Sequence, residues 1–318
     1  MLPLLKNEWI KLWNKKQTWI FAAAIVVIMF AITAIYYSFI EETTVPQGQN
    51  WEIALETEIA EQEEILANEN EEWVLESAEQ KIEENEALLA AGVDPNITNN
   101  MTFMNETLLV AASFITLFSV IAASSIVSSE IDNGTMKHLL IRPFERWQFL
   151  LAKFLTVVGF SAALFVLLVL VNLILGTLFF GAGSPSTPVM EMNFDGNNLY
   201  TTVDKVLPQK SGLYFLNLLM FIIISFSISI LFKSQTLAVG IGIFILFATS
   251  ISQAFTALLG ETAWYKYVFL PHMDLPAYVV RDELLPGVGL GFSVGVLAVY
   301  ALVFIGASTV YFQKRDLA

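Results

Sequence analysis

FLTVVGFSAALFVLLVLVNLILGTLFF, residues 154–180, is a run of 27 residues without one charged side chain. About 20 apolar residues suffice to cross roughly 30 Å of hydrocarbon as a helix. This run is long enough to cross with tilt or to extend beyond the bilayer. Working outward, five further uncharged runs occupy residues 19–40, 107–127, 213–232, 236–259 and 287–312. Charged residues make up 14% of the chain, against about 25% in soluble globular proteins. The expected fold is an all-α integral membrane protein with six transmembrane helices. The first run ends in Tyr36, Tyr37, Ser38 and Phe39 rather than in small residues before a cleavage site, so it reads as a retained anchor.

Residues 1–18 read as an interfacial helix. Leu2, Leu5, Trp9, Leu12 and Trp13 recur every three or four residues, with Lys6, Lys11, Lys15 and Lys16 between them. Residues 41–106 are acidic: 17 of the 30 carboxylates fall between Glu41 and Asp94, with Lys81 the one base among them. The net charge of −14 therefore belongs to one segment. Trp51, Leu55, Ile59 and Leu66 share a helical face, and Leu75, Ala78, Ile82 and Leu89 recur at heptad-like spacing. Ala67-Asn68-Glu69-Asn70 reads as a break and Gly92 with Pro95 as an end, which predicts a helical hairpin outside the membrane.

Residues 107–318 hold the other five spans. Gly181 to Gly212 reads as an exposed loop. Gly260 to Pro286 is aromatic and suits the membrane interface. With six spans both termini share a side, and 11 of the Lys and Arg residues fall on that side against 5 on the other. The excess of positive charge predicts cytoplasmic termini, an extracellular hairpin and a multi-pass protein of the plasma membrane.

The sequence excludes several chemistries. There is no cysteine, and His138 and His272 are the only histidines. The phosphate-loop, zincin and nucleophile-elbow motifs are absent. No span carries an Asp, Glu, Lys, Arg or His near its middle, as a proton relay or voltage sensor would need. An enzyme is not expected, nor a metal site, nor a nucleic-acid partner. Asn172, Asn217 and Gln253 are the conspicuous polar residues within spans. They read as helix-packing amides and, less strongly, as points on a substrate path. Gly287, Gly291 and Gly295, four apart, predict close helix packing within the chain or across a dimer.

The longest punctuated segment on the inner side runs from Ser128 to Lys153, with its polar loop at residues 128–149. Glu130 and Asp132 follow the second span. Asn133-Gly134 signals a turn. Thr135 is placed to cap a short helix, Met136 to Ile141, with Met136, Leu139 and Leu140 on one face and Lys137 and His138 elsewhere. Arg142-Pro143 stops that helix, and Pro143 suits the first turn of the next. Glu130, Arg146 and Lys153 are expected to hold the hinge at the lipid surface, with Arg146 and Lys153 placed to meet phosphate headgroups or acidic partner residues.

The order Glu130, Gly134-Thr135, Leu139-Leu140, Pro143, Arg146, Lys153 between the second and third of six spans resembles the permease subunit of type-2 ABC transporters of the bacterial exporter kind. The resemblance implies that Met136 to Ile141 is a coupling helix seated on a separate cytoplasmic ATPase. It also implies that the chain pairs with a second permease, identical or not. ATP and Mg²⁺ would sit on the ATPase, with no cofactor on this chain. Export of a hydrophobic or amphipathic peptide, antibiotic or lipid suits a path without fixed charge, and sodium export is a weaker option. Two other classes fit the residues: a membrane sensor, and an immunity protein that captures cationic peptides on the acidic hairpin.

Overall fold

The computed structural model describes residues 1–43, 51–135, 144–193, 198–232, 234–260 and 262–314, with the side chains of 40–43, 253 and 257 outside that description. Among the described residues, six helices are long and apolar enough to cross a membrane. Leu2–Trp13 forms α1 and Lys16–Thr43 forms α2. The short corner between them is closed by the Thr18 hydroxyl donating to the Leu12 carbonyl at 2.5 Å and by the Trp19 indole donating to the Trp13 carbonyl at 3.0 Å. Trp51–Asn68 is α3, Glu72–Ala91 is α4 and Asn100–Ile126 is α5. After Val127 the short α6, Ser128–Asp132, continues from α5. Arg146–Phe180 is α7, Val203–Leu231 is α8, Gln235–Leu259 is α9 and Leu290–Lys314 is α10.

The chain divides into two compact units: residues 1–29, 108–171 and 209–318, and residues 30–107 and 172–208. In the second unit, α3 and α4 pack on each other. Ala78 and Leu88 are buried, and α4 ends at Gly92, whose φ of 65° lets the chain turn left-handed after the last helical turn. Glu side chains cover the remaining faces, because a charged group gains nothing by leaving water.

The segment after α7 departs from the expected loop and from a purely helical fold. Pro188–Glu191 (β1) and Leu199–Thr202 (β2) pair antiparallel, with Val189 opposite Thr201. Met190 and Tyr200 from this ribbon pack with Trp51 and Leu89 on a core of Leu55, Leu88 and Val93. The ribbon therefore completes the apolar core that the two acidic helices begin. Glycine, asparagine and serine in the segment masked a strand signal that depends on packing against another element.

In the first unit, Val120, Met220, Phe221, Ile224, Ala238, Leu275 and Leu297 make one apolar core. Here α8 is the most enclosed span, with 78% of its apolar stretch buried, whereas α10 has 11%. The long uncovered faces of α10 suit lipid, since apolar side chains in hydrocarbon lose nothing by remaining exposed. Gly287, Gly291 and Gly295 do not bring helices together in this chain. Gly287 precedes α10 in a left-handed turn at φ 72°, and a Cβ on Gly291 or Gly295 would meet nothing within 4 Å. The close approach lies at Gly242 of α9, where a Cβ would fall on the Ser124 hydroxyl of α5. Fourfold spacing marks a stripe of small residues, but only the rotation of the helix decides what that stripe faces.

Candidate functional site

Four ionisable side chains meet where α1, α6 and α7 converge. Helix α1 lies on α7 through its tryptophans. A Cβ on Gly159 would come 3.0 Å from the Trp9 ring, and the Trp13 and Phe160 rings stand 6.2 Å apart edge to face. That docking buries Glu8, the polar residue just before Trp9, beside Lys153. Lys153 Nζ lies 2.7 Å from Glu8 Oε2 and 2.8 Å from Glu130 Oε1. Lys11 Nζ lies 3.0 Å from Glu8 Oε1 and 3.2 Å from Glu130 Oε1. Two ammonium groups and two carboxylates thus alternate in a ring of no net charge. The Lys153 and Glu8 side chains are 2% and 3% exposed, and Glu130 is 16% exposed.

A ring so placed holds its members firmly. Removing charge from water costs several kcal/mol per ion, and close opposite charges offset that cost only while all are present. Burial pushes the Glu8 carboxyl upward, but the Lys153 and Lys11 ammonium groups outweigh it and hold it below the usual range. Burial lowers Lys11, yet Glu130 and Glu8 leave it raised. Beside the ring, burial and the Lys153 charge depress Lys15.

The signs set a pH window. The Glu8 contribution is complete above its ordinary value of 4.5 and disappears as pH falls through the lower folded value. The Lys11 contribution is complete below its ordinary 10.5 and disappears as pH rises through the higher folded value. Thermal unfolding of the parent should therefore show a plateau at neutral pH and a loss of stability on the acid side. In Glu8→Gln that acid-side loss should shrink, and an unaltered acid limb would count against the ring.

The hinge that carries Glu130 is built from serines. Backbone N–H groups of Val127 and Ser128 both donate to the Ser229 hydroxyl of α8, at 3.1 and 3.0 Å. This side chain satisfies donors left free where α5 breaks. Gly134, at φ 69°, then turns the chain. The Thr135 N–H and hydroxyl both reach the Glu130 carbonyl, at 3.0 and 3.2 Å. Thr135 thus closes the end of α6 in addition to standing before the expected next helix.

The segment expected to couple to an ATPase, including Met136, Lys137, Leu139, Leu140 and Pro143, lies outside the described residues. Helix α7 begins at Arg146, downstream of Pro143, so Glu145 rather than proline marks its start. The Gln148 side chain accepts from the Glu145 N–H at 3.2 Å, as in the returning half of a capping box. Two hinge residues differ from expectation. Lys153 is not at a lipid surface, because Glu8 and Glu130 enclose it. Arg146 reaches the end of α10, donating to the Gln313 carbonyl at 3.0 Å and the Phe312 carbonyl at 3.4 Å. A cation there complements the negative end of the helix.

The amides are placed separately. Asn172 is fully buried and donates to Thr107 Oγ1 at 2.9 Å. Asn217 donates to the Met273 carbonyl at 2.9 Å. Gln253 lies on α9, with its side chain outside the described set. An apolar groove of about 180 Å³ between α8 and α10 is lined by Leu216, Met220, Ile223, Val294 and Leu297. Among the described residues no group of three potential metal ligands occurs.

Sequence reasoning missed Glu8 as a partner of Lys153. A lone acid among lysines and tryptophans was the available signal, since a carboxylate on the apolar side of an interfacial helix requires a cation.

Comparison with known proteins agrees with the membrane architecture. Over the whole of both chains, 29% of residues are identical to "Uncharacterized protein YhcI" of Bacillus subtilis (strain 168). Over 235 residues, 72% of this chain and 87% of the relative, 27% are identical to "Uncharacterized membrane protein YdbK" of the same organism. No solved structure matches. With six apolar helices, the chain is a multi-pass membrane protein. Residues 87–318, which include Glu130, Arg146 and Lys153, match the family model described as "Protein of unknown function (DUF2705)", and the chain belongs to that family.

Proposed function

We propose that the chain is the permease subunit of a type-2 ABC exporter in the plasma membrane, with both termini cytoplasmic. It works with a second permease and with separate ATPase chains that carry ATP and Mg²⁺. The observation that supports this reading best is the buried ring of Glu8, Lys11, Glu130 and Lys153. It fastens both ends of the 128–149 loop to the bundle, one end through Glu130 and the other through Lys153. A push on a loop with loose ends is absorbed locally. A push on one clamped at both ends moves α5 and α7 together. The apolar groove beside α8, and spans without mid-membrane charge, suit a hydrophobic or amphipathic substrate such as a peptide, antibiotic or lipid.

The test is uncoupling. In a complex purified with its ATPase, L139P or L140E should lower transport about tenfold or more, within the range of measured coupling between sites. ATP hydrolysis and membrane insertion should persist. Undiminished transport in both variants, or no ATPase partner on purification, would overturn the reading.

A further inference from the structure

Between α9 and α10 the chain folds into three 3₁₀ turns, Tyr265–Tyr267, Leu270–His272 and Leu275–Val279. His272 closes the second turn, Tyr278 lies in the third, and Ser293 meets them from the first turn of α10. His272 and Ser293 are both 0% exposed. His272 Nε2 is 2.9 Å from the Lys266 carbonyl oxygen, and Nδ1 is 2.7 Å from Ser293 Oγ. Ser293 Oγ is 2.6 Å from Tyr278 Oη, which is 3.0 Å from the Val288 carbonyl oxygen.

Both ends of this chain are carbonyl oxygens, which only accept. Each of the four contacts needs one hydrogen. A neutral imidazole, a serine and a tyrosine hydroxyl bring one each, so three hydrogens serve four contacts. The Lys266 carbonyl fixes the imidazole hydrogen on Nε2, and Nδ1 then accepts from Ser293. Tyr278 is left with one hydrogen for two acceptors. A proton added at Nδ1 removes the shortage. Nδ1–H donates to Ser293, Ser293 to Tyr278, and Tyr278 to Val288.

We propose that His272, Ser293 and Tyr278 form a proton-binding site, which takes up one proton from the medium at His272 Nδ1 by reversing the hydroxyls of Ser293 and Tyr278. Occupied, it fastens the first turn of α10 to the 3₁₀ turns through a charge-assisted hydrogen bond. The charge balance around it is set by few groups. Helix α9 and the first two turns of α10 bring no ionisable side chain. Among the described residues, the connecting segment brings Tyr265, Lys266, Tyr267, Asp274, Arg281, Asp282 and Glu283, and α8, whose Asn217 holds the Met273 carbonyl, carries Lys210. None of these side chains displaces the imidazole. Burial lowers its pKa, and the Lys266 carbonyl offsets part of that. Uptake therefore falls on the acid side of 6.5. No ATPase or transported substrate enters the proposal, so it stands apart from the permease reading.

The chain has two histidines, so His138→Asn leaves one imidazole for ¹⁵N NMR of the full-length protein in lipid. At neutral pH the hydrogen should sit on Nε2 with Nδ1 unprotonated. Acidification should give an imidazolium with a midpoint below 6.5. Tyr278→Phe takes away the acceptor for the reversed serine hydroxyl, and proton binding should weaken about tenfold, a shift of about one pH unit. A hydrogen on Nδ1 at neutral pH overturns the proposal, and this needs no change in the cluster. So does the absence of titration above the pH of unfolding, or an unshifted midpoint in a folded Tyr278→Phe protein.

Discussion

Lys153→Met should destabilise the folded protein by about 3–5 kcal/mol, the range for removing one member of a buried ion pair. Methionine fills nearly the same space, so the loss is electrostatic. Glu8 Oε2 and Glu130 Oε1, at 2.7 and 2.8 Å from the ammonium group, would face each other with Lys11 as their remaining ion-pair partner. Lys11 cannot serve alone, since its side chain is 40% exposed and already placed at 3.0 and 3.2 Å. Equilibrium unfolding in detergent reads the change directly. Adding Glu8→Gln to Lys153→Met should recover part of the loss, because it removes one of the two stranded carboxylates. A Lys153→Met protein within about 0.5 kcal/mol of the parent, the usual span for surface changes, would show that the ring is no constraint. The same variant bears on function, since freeing Lys153 releases the α7 end of the loop.

Gly242→Val is expected to cost about 1–3 kcal/mol by overpacking. A Cβ there falls on the Ser124 hydroxyl and comes 3.0 Å from Val120 Cγ1, so these side chains must turn away or α9 and α5 must part. Gly240 stands two residues away, where a Cβ meets nothing within 4 Å. Gly240→Ala should be neutral or slightly stabilising, as alanine suits a helix better than glycine. The paired comparison separates helix propensity from close approach. Ser124→Ala should partly rescue Gly242→Ala, because the Ser124 hydroxyl is buried without a hydrogen-bond partner and loses little when removed. Equal stability of the Gly240 and Gly242 alanine variants would contradict the close contact.

Hydrophobic run length and helical period are local properties, and they carried far. The six apolar helices follow from residues a few positions apart. Boundaries were less legible. Helix α7 begins at Arg146 rather than at the first uncharged residue, because a charged first turn is stable when the Gln148 side chain accepts from the Glu145 N–H and Arg146 reaches α10. The ribbon of β1 and β2 escaped notice because its apolar side chains gain their burial from α3 and α4, far away in sequence.

The sequence by itself determined that this chain crosses a membrane, since no other solvent accommodates six uncharged runs of such length. It also determined that the segment between the second and third runs is polar, punctuated and charged. Only the tertiary structure decided what those charges do. Glu8 and Lys153 are 145 positions apart, and no local pattern names a partner at that distance. The docking of two tryptophans against Gly159 and Phe160 brings them together. Burial then converts what read as a lipid-facing lysine into the centre of a closed ring, because a charge removed from water must be met by opposite charge at short range.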